Sequence, residues 1–389
     1  MTTIVPGVWY DGGMDGMESL TLPLAPTELP EKLRRFADPN APVPAKTMAA
    51  KGLVPVRGGD LVTLLVQLGA DPEPSVADAA RKSLRNMPDE VLLPAVGGEL
   101  HPAVLHGLAT SLYENEGVLE QIVEHPNVHP GTVERVARHA SERICEIIAT
   151  NQARLLDAPA IVESLYKNKH ARMSTIDRLV ELCARNGVRL EGIPSFDAHV
   201  KAIQGQLIPE PTDEPLPTDT LFQEALAEDD GDATAVDIDK VDGSETVKEK
   251  NKPLSFRIRQ MSISEKIRMA VVGDAAARSI LLRDPNRMVS NAAINSPSMS
   301  EPEAAAIAHS KEVAEDILRI IANRKEWTRT YEVKRALTFN PKTPVGISMR
   351  FLSHMRPSDL KLLAKSRGVP NPLKTAAKQR LEKKMKGRS

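Results

Sequence analysis

The chain has 389 residues and a formal net charge of −1, and only 12 of its residues are aromatic. This length allows two domains, and the scarcity of aromatic residues favours closely packed helices built from Ala, Val, Ile, Leu and Met over a sheet-rich fold. No apolar run is long enough to span a bilayer, no secretion signal is recognisable and only two cysteines occur, so we expect a cytoplasmic protein without membrane spans or a disulfide framework.

Residues 1–45 are rich in Pro and Gly and show no sustained periodicity. Glycine and proline interrupt regular backbone hydrogen bonding, so such a stretch is a poor candidate for a packed element. The sequence predicts a mobile N-terminal arm over residues 1–45, with one short helix near residues 30–36.

Residues 46–204 form the first predicted helical module. From Asp60 onward, apolar residues recur with the period of a helix, and pairs such as His125-Pro126 and His129-Pro130 mark helix starts. Gly187 is expected to end the series. The predicted helices cover residues 61–68, 76–86, 88–96, 102–113, 116–124, 131–139, 141–150, 158–168 and 174–186.

Residues 205–253 differ in composition from both flanking regions. Within them, residues 210–247 contain 13 Asp and Glu against a single lysine, Lys240. This charge is too high for a packed core, so we predict an acidic disordered linker. One short helix could bring together Leu221, Phe222, Ala225 and Leu226. The tether could also dock within the molecule, on a basic surface of the same chain.

Residues 254–389 form the second predicted module, which is basic. Residues 248–389 carry 30 Lys and Arg against 13 Asp and Glu. Ser262-x-x-Glu265 and Ser300-x-x-Glu303 are predicted capping boxes that begin helices. A helix over residues 372–386 would bury Leu373, Ala377, Leu381 and Met385. It would expose four lysines as candidates for binding an anionic partner, namely Lys374, Lys378, Lys383 and Lys386.

The two modules repeat one pattern. Residues 144–151 (ICEIIATN) recur as residues 317–324 (ILRIIANR), and Asn168 corresponds to Asn340 farther along. A shorter similarity links residues 308–317 with residues 364–373. Duplicated amphipathic helices are typical of stacked repeat proteins, because one unit cannot bury its apolar face alone. The sequence therefore predicts an all-α fold, with two α-solenoid modules joined by the disordered acidic linker.

This arrangement of short paired helices, with units such as residues 340–344 (NPKTP) followed by an apolar helix, resembles the HEAT-like and leucine-rich-repeat-variant α-helical repeat superfamily. The resemblance covers residues 60–190 and 260–385, and it implies a solenoid that binds other macromolecules. The variant family is associated with an iron–sulfur cluster held by a group of cysteines, which this chain lacks. No cofactor is therefore expected.

Catalytic and metal-binding patterns are not recognisable in the sequence. It has no phosphate-binding glycine loop and no nucleophile elbow. His125 and His129 lie four residues apart, but the proline after each favours a helix-flanking position over metal ligation. Cys145 and Cys183 fall in apolar helical patterns and are expected to be structural thiols. We expect no catalytic residues, no metal and no cofactor.

The predicted function is that of a non-enzymatic scaffold that binds other macromolecules, with proteins as the expected partners. The alternative is a nucleic-acid-binding protein whose basic module, residues 254–389, contacts phosphates through Lys and Arg. Residues 358–381 also have a loose likeness to the SAP DNA-binding motif, although the internal repeat accounts for the same residues better.

Overall fold

A computed structural model of the protein describes residues 20–206, 208, 212, 214–227, 236–238, 245–247, 254–366 and 368–386. For residues 236–238, 245–247 and 384–386 it describes the backbone alone. The chain divides into two compact units, Met1–Ala171 and Arg172–Ser389. No helix in the described ranges is both long enough and apolar enough to cross a membrane.

The regular secondary structure in the described part of the first unit consists of short helices. They are α1 (Glu31–Arg34), α2 (Val43–Ala50), α3 (Gly59–Leu68), α4 (Pro74–Arg85), α5 (Asp89–Val96), α6 (Pro102–Ser111), α7 (Glu116–Glu124), α8 (Pro130–Ala137), α9 (Glu142–Thr150), α10 (Gln152–Asp157) and α11 (Pro159–Lys167). Several helices pack against the next helix but one: α3 contacts α5, α5 contacts α7, α7 contacts α9, and α6 contacts α8. Their apolar faces are thus covered by alternate helices.

Helix α7 shows how local sequence produces these elements. The Asn115 side chain accepts a hydrogen bond from the Val118 N–H at 3.1 Å, which satisfies a donor that the first turn leaves free. Val118, Leu119, Ile122 and Val123 then form one buried stripe. Burying a side chain such as Ile122 contributes roughly 1.5–3 kcal/mol, so packing stabilises this helix more than its intrinsic propensity does.

The N-terminal segment is more ordered than predicted. Leu24, Leu29 and Leu33 are buried, and the buried Gln67 side chain bonds to both backbone groups of Leu24, with N–H···Oε1 at 2.8 Å and Nε2–H···O at 3.0 Å. The prediction of a mobile arm is therefore corrected for residues 20–45. A residue distant in sequence supplies the hydrogen bonds, so no local period reveals the packing. Residues 1–19 lie outside the described residues.

The second unit is helical apart from one short strand pair in its described part. Its helices are α12 (Met173–Arg185), α13 (Phe196–Ile203), α14 (Pro217–Leu226), α15 (Leu254–Gln260), α16 (Ile263–Val272), α17 (Ala275–Leu281), α18 (Arg287–Ile294), α19 (Glu301–His309), α20 (Glu315–Asn323), α21 (Tyr331–Phe339), α22 (Val345–Leu352), α23 (Pro357–Lys365) and α24 (Asn371–Lys386), with a 3-10 turn at Trp327–Arg329. Strands β1 (Val236–Ile238) and β2 (Glu245–Val247) pair antiparallel, with Val236 opposite Val247. The predicted all-α class agrees with this content.

The division between the units differs from the predicted one. Helices α12 and α13, which the sequence placed in a module ending at residue 204, belong to the second unit. Helix α12 packs against α13 and α14, and α13 packs against α16. Periodicity predicted that α12 has an apolar face, but it does not indicate which helices cover that face.

Part of the predicted disordered linker is a packed helix. The Phe222 side chain of α14 is fully buried, and the Arg268 guanidinium lies 4.9 Å from the centre of its ring. The carboxylate of Asp219 accepts hydrogen bonds from the Ser174 N–H and hydroxyl at 2.8 and 2.9 Å. The short helix offered for Leu221, Phe222, Ala225 and Leu226 is thus observed as α14. The prediction of disorder is corrected for residues 217–226, because Asp219 and Phe222 have partners on other helices. Most of the remaining linker lies outside the described residues.

The corresponding asparagines Asn168 and Asn340 make similar hydrogen bonds to the backbone. Asn168 donates through Nδ2 to the carbonyls of Ala137 and Ala140, at 2.8 and 2.9 Å, and accepts from the His170 N–H at 2.8 Å. Asn340 donates to the carbonyls of Ala308 and Ser310, at 2.7 and 2.9 Å, and accepts from the Lys342 N–H at 3.0 Å. We call this arrangement the C-cap bridge, because the residue that follows one helix satisfies carbonyls at the end of an earlier helix.

A histidine forms a third C-cap bridge. His125, which follows α7, bonds through Nε2 to the Gly98 carbonyl at 2.7 Å and accepts through Nδ1 from the Asn127 N–H at 3.0 Å. A residue that follows one helix is therefore bonded to a carbonyl at or just after the end of an earlier helix at all three of these places. Sequence comparison detected the Asn168–Asn340 correspondence but not its purpose.

Candidate functional site

The last two helices of the second unit form a hairpin whose apolar core is completed by Leu352 of α22 and by Met355. Helices α23 and α24 pack together, and Leu381 packs partly buried against their core. Leu373 and Ala377 are fully buried, as predicted, whereas the Met385 side chain lies outside the described residues. The core residues are Leu352, Met355, Leu360, Leu363, Val369, Leu373 and Ala377. This packing directs the polar positions of both helices to the surface.

The four lysines predicted on α24 do not share one face. Lys374 is half-buried, Lys378 and Lys383 are exposed, and the side chain of Lys386 lies outside the described residues. Lys374 and Lys378 are one helical turn apart and therefore lie on one stripe. Lys383 is five positions beyond Lys378, which rotates it by about 140° around the helix. Among the three lysines whose side chains are described, Lys374 and Lys378 are the pair on one stripe.

Helix α23 adds a second pair of lysines that the sequence reasoning missed. Lys361 and Lys365 are exposed and are likewise one helical turn apart. Arg380 of α24 is exposed as well. The spacing of four residues was visible in the sequence, but only the packing of α23 against α24 joins the two pairs in one hairpin.

Positive charge is concentrated at this end of the chain. Residues 324–389 contain 18 Lys and Arg against four Asp and Glu, whereas residues 248–323 contain 12 against nine. Among the described residues, the hairpin cations form no ion pair within 4.0 Å. These cations are Lys361, Lys365, Lys374, Lys378, Arg380 and Lys383. Their charge therefore remains available to a partner.

Five cations in the segment from α16 to α20 of the same unit are paired with acidic residues. Four of these ion pairs join residues that are far apart in the sequence, and the fifth, Arg319–Glu315, joins residues one helical turn apart. The pairs are Lys266–Asp284 at 3.0 Å, Arg278–Glu303 at 2.7 Å, Arg283–Glu312 at 3.0 Å, Arg319–Glu315 at 2.6 Å and Arg287–Asp316. The exposed pairs among them, such as Arg287–Asp316 and Arg319–Glu315, add little stability, but all five pairs reduce the local charge.

The one acidic residue of α23, Asp359, is engaged elsewhere. It accepts hydrogen bonds from the Tyr331 hydroxyl and from Arg335 Nε, the latter at 3.0 Å. Burial acts to raise the pKa of the Asp359 carboxyl, but the bonds from Tyr331 and Arg335 and the nearby guanidinium charge bring it below its ordinary value. Asp359 is therefore ionised at neutral pH and paired with Arg335 rather than with the hairpin lysines.

Aromatic rings near the hairpin are covered by guanidinium groups. Arg356 lies 4.5 Å from the ring centre of Tyr331, and Arg324 lies 4.3 Å from that of Trp327. Trp327 is only 5% exposed. These rings stabilise their own arginines by cation–π contact and are poorly placed to stack on a ligand.

The histidines and cysteines lie where structural roles are expected. His101 and His129 cap α6 and α8 by accepting from the N–H groups of Ala103 and Gly131, at 3.2 and 3.1 Å. Cys145 and Cys183 are buried, and burial raises the pKa of the Cys183 thiol to about 11. Over the described residues, no three His, Cys, Asp or Glu side chains are grouped so that they could hold a metal ion.

A buried polar cluster lies among α12, α13, α14 and α16. His199 Nε2 is 2.7 Å from Asp177 Oδ1, and the Ser262 N–H donates to Glu265 Oε2 at 2.6 Å. Glu265 is 3% exposed, and its Oε1 has no hydrogen-bond partner in the described structure. Burial raises the pKa of Glu265; the Ser262 bonds oppose this, and the charges of Asp177 and Asp219 add to it.

This cluster leads to a pH prediction for Glu265→Gln. Because the native pKa of Glu265 is raised above its ordinary 4.5, its stabilising contribution is complete in acid and is lost as pH rises through the native pKa. The variant should lack this loss, so its urea midpoint should fall less than that of the parent between mildly acidic and neutral pH. Circular dichroism during urea unfolding measures the midpoints.

Glu303→Gln is the matched control, since Glu303 occupies the same capping-box position. Burial acts to raise the pKa of Glu303, but the Ser300 and Arg278 bonds lower it overall. Its contribution is therefore present above the ordinary pKa and is lost as pH falls through the native one. If the urea midpoints of Glu265→Gln and Glu303→Gln changed with pH in the same way, the two carboxyl groups would not have the opposite pKa shifts described here.

Comparison with known proteins assigns no family to this chain. No protein-family model matches the sequence, and no curated protein matches it either.

Proposed function

We propose that this protein is a non-enzymatic, cytoplasmic helical-repeat scaffold of the HEAT-like kind, which binds other macromolecules and in particular proteins. The observation that carries the proposal is the C-cap bridge, which recurs at Asn168 and Asn340, each donating through Nδ2 to two backbone carbonyls at or just after the end of an earlier helix. A recurring bridge between helix pairs is what a stack of similar repeats requires. Such stacks expose extended surfaces that suit macromolecular partners.

Exposed apolar side chains support protein partners. Val43 and Met48 of α2 and the following Leu53 are 44%, 53% and 66% exposed. Large apolar residues concentrated in one short segment are typical of protein-binding surfaces, because removing apolar surface from water is favourable when a partner covers it.

The test is affinity purification of the full chain, with and without nuclease treatment. Specific proteins should remain bound after nuclease. The double variant Met48→Glu/Leu53→Glu should lose a defined subset of them, because it places charge on the apolar segment. Lys82→Glu/Arg85→Glu changes two exposed residues of α4 and serves as the control. Loss of every protein upon nuclease treatment would overturn the proposal.

A further inference from the structure

We propose that the α23–α24 hairpin is a binding surface for double-stranded nucleic acid, and that its unpaired lysines contact the phosphate groups. This inference rests on the proposed function as a scaffold for macromolecules and names the partner of one end of the second unit. Four lysines carry it: Lys361 and Lys365 on α23, and Lys374 and Lys378 on α24.

The first support is charge complementarity. The hairpin cations have no acidic partner within 4.0 Å in the described structure, whereas the exposed arginines of α18 and α20 do. Duplex DNA carries one negative charge per roughly 1.7 Å of its axis. A 16-residue helix such as α24 is about 24 Å long and can therefore lie beside several phosphates. Release of counterions from those phosphates would drive binding.

The second support is the kind of side chain on the surface. Interfaces between proteins are depleted in lysine and enriched in aromatic residues and arginine. The exposed cations of the hairpin are mostly lysines, and the nearby rings of Trp327 and Tyr331 lie against Arg324 and Arg356. Lysine binds phosphate as a point charge and needs no fixed geometry. This composition favours a phosphate backbone over an acidic protein.

The third support concerns the strandedness of the nucleic acid. Proteins that bind single strands stack the bases on exposed aromatic rings. Trp327 is 5% exposed and Phe351 is 5% exposed, so neither ring can receive a base. A membrane surface is disfavoured as well, because the apolar face of α24 is already buried in the hairpin core through Leu373 and Ala377. A duplex requires only the cations.

The experiment measures binding of the full chain to a fluorescent DNA duplex of about 20 base pairs, between about 50 and about 200 mM salt. The parent chain should show an affinity that falls steeply with salt. The variant Lys361→Gln/Lys365→Gln/Lys374→Gln/Lys378→Gln should bind about tenfold or more weakly at low salt. Its slope of log affinity against log salt should be smaller by about 0.9 for each phosphate that the variant no longer neutralises. All four sites are exposed or half-buried, so the fold should be retained.

The matched control removes four exposed arginines that are already paired with acids. It is Arg185→Gln/Arg189→Gln/Arg287→Gln/Arg319→Gln, which changes the net charge by the same amount. This control should bind the duplex nearly as well as the parent. The inference is overturned if the control loses as much affinity as the lysine variant, if the parent shows no salt-dependent binding, or if a single strand competes as well as the duplex.

The outcome also separates this inference from the proposed function. If the lysine variant loses protein partners that resist nuclease while the parent does not bind the duplex, the hairpin binds an acidic protein. In that case duplex binding is refuted and the protein-binding scaffold is supported. If the lysine variant no longer binds the duplex but nuclease removes every partner of the parent chain, duplex binding by the hairpin is supported and the protein-binding scaffold is refuted.

Discussion

Ile148→Asp and Ile321→Asp should each lower the free energy of unfolding of their own unit by roughly 4 kcal/mol or more. The two isoleucines occupy corresponding positions of α9 and α20, and they are 2% and 0% exposed. Each substitution removes apolar contacts and places a carboxylate at a buried position of the helix. A carboxylate in such a place must either remain unsolvated or take up a proton, and both cost free energy.

Ile147→Asp and Ile320→Asp are the matched controls, since each lies one residue earlier on the same helix and is only half-buried. The control substitutions should lower the free energy of unfolding by less than half as much as Ile148→Asp and Ile321→Asp. Urea unfolding followed by circular dichroism measures all four variants. A loss below about 1 kcal/mol for Ile148→Asp or Ile321→Asp would place that side chain outside the core and would break the proposed correspondence between the two helices.

Asn168→Asp and Asn340→Asp should each lower the free energy of unfolding by roughly 3 kcal/mol or more at neutral pH. The change alters almost no volume, but it replaces the Nδ2 donor of the C-cap bridge by a carboxylate oxygen. In the parent that donor lies 2.8 and 2.9 Å from two carbonyl oxygens at Asn168, and 2.7 and 2.9 Å at Asn340. The variant removes this donor from both carbonyls and sets negative charge against them.

The cost should be smaller in acid. A protonated aspartate regains one donor, so the native state should hold that proton with a raised pKa, and the variant should lose stability as pH rises through it. Asn151→Asp and Asn286→Asp are the controls, because these asparagines only accept at helix N-termini, from the N–H groups of Arg154 and Met288. Both should stay within about 0.5 kcal/mol of the parent. An equally small change at Asn168 would refute the bridge.

Helix positions were largely predictable from the sequence, because the residues that cap a helix and those that form its apolar stripe lie within a few positions of one another. The helix predicted over residues 116–124 is observed as Glu116–Glu124, and the boxes at Ser262 and Ser300 cap α16 and α19 as predicted. A cap bonds residues three positions apart, and an apolar stripe repeats at every turn. Both signals can be read without knowledge of the neighbouring helices.

Elements held by distant residues were not predictable in the same way. For α14 the sequence offered the short helix but not its packing: the helix contacts α12 and α16, and Arg268 of α16 lies against the Phe222 ring. Likewise, residues 20–45 have no helical period, yet Gln67 of α3 bonds to Leu24. Composition measures the average tendency of a segment to pack, whereas packing depends on which partner reaches it.

For the candidate site, the sequence by itself determined that the chain ends in a strongly basic region with an apolar stripe on its last helix. Only the tertiary structure decided which cations remain unpaired. Arg283 meets Glu312 and Arg287 meets Asp316 through contacts between helices, whereas the hairpin lysines meet no acid among the described residues. Net charge is a sum over residues, but the field that a partner encounters depends on distances between charges, and folding alone sets those distances.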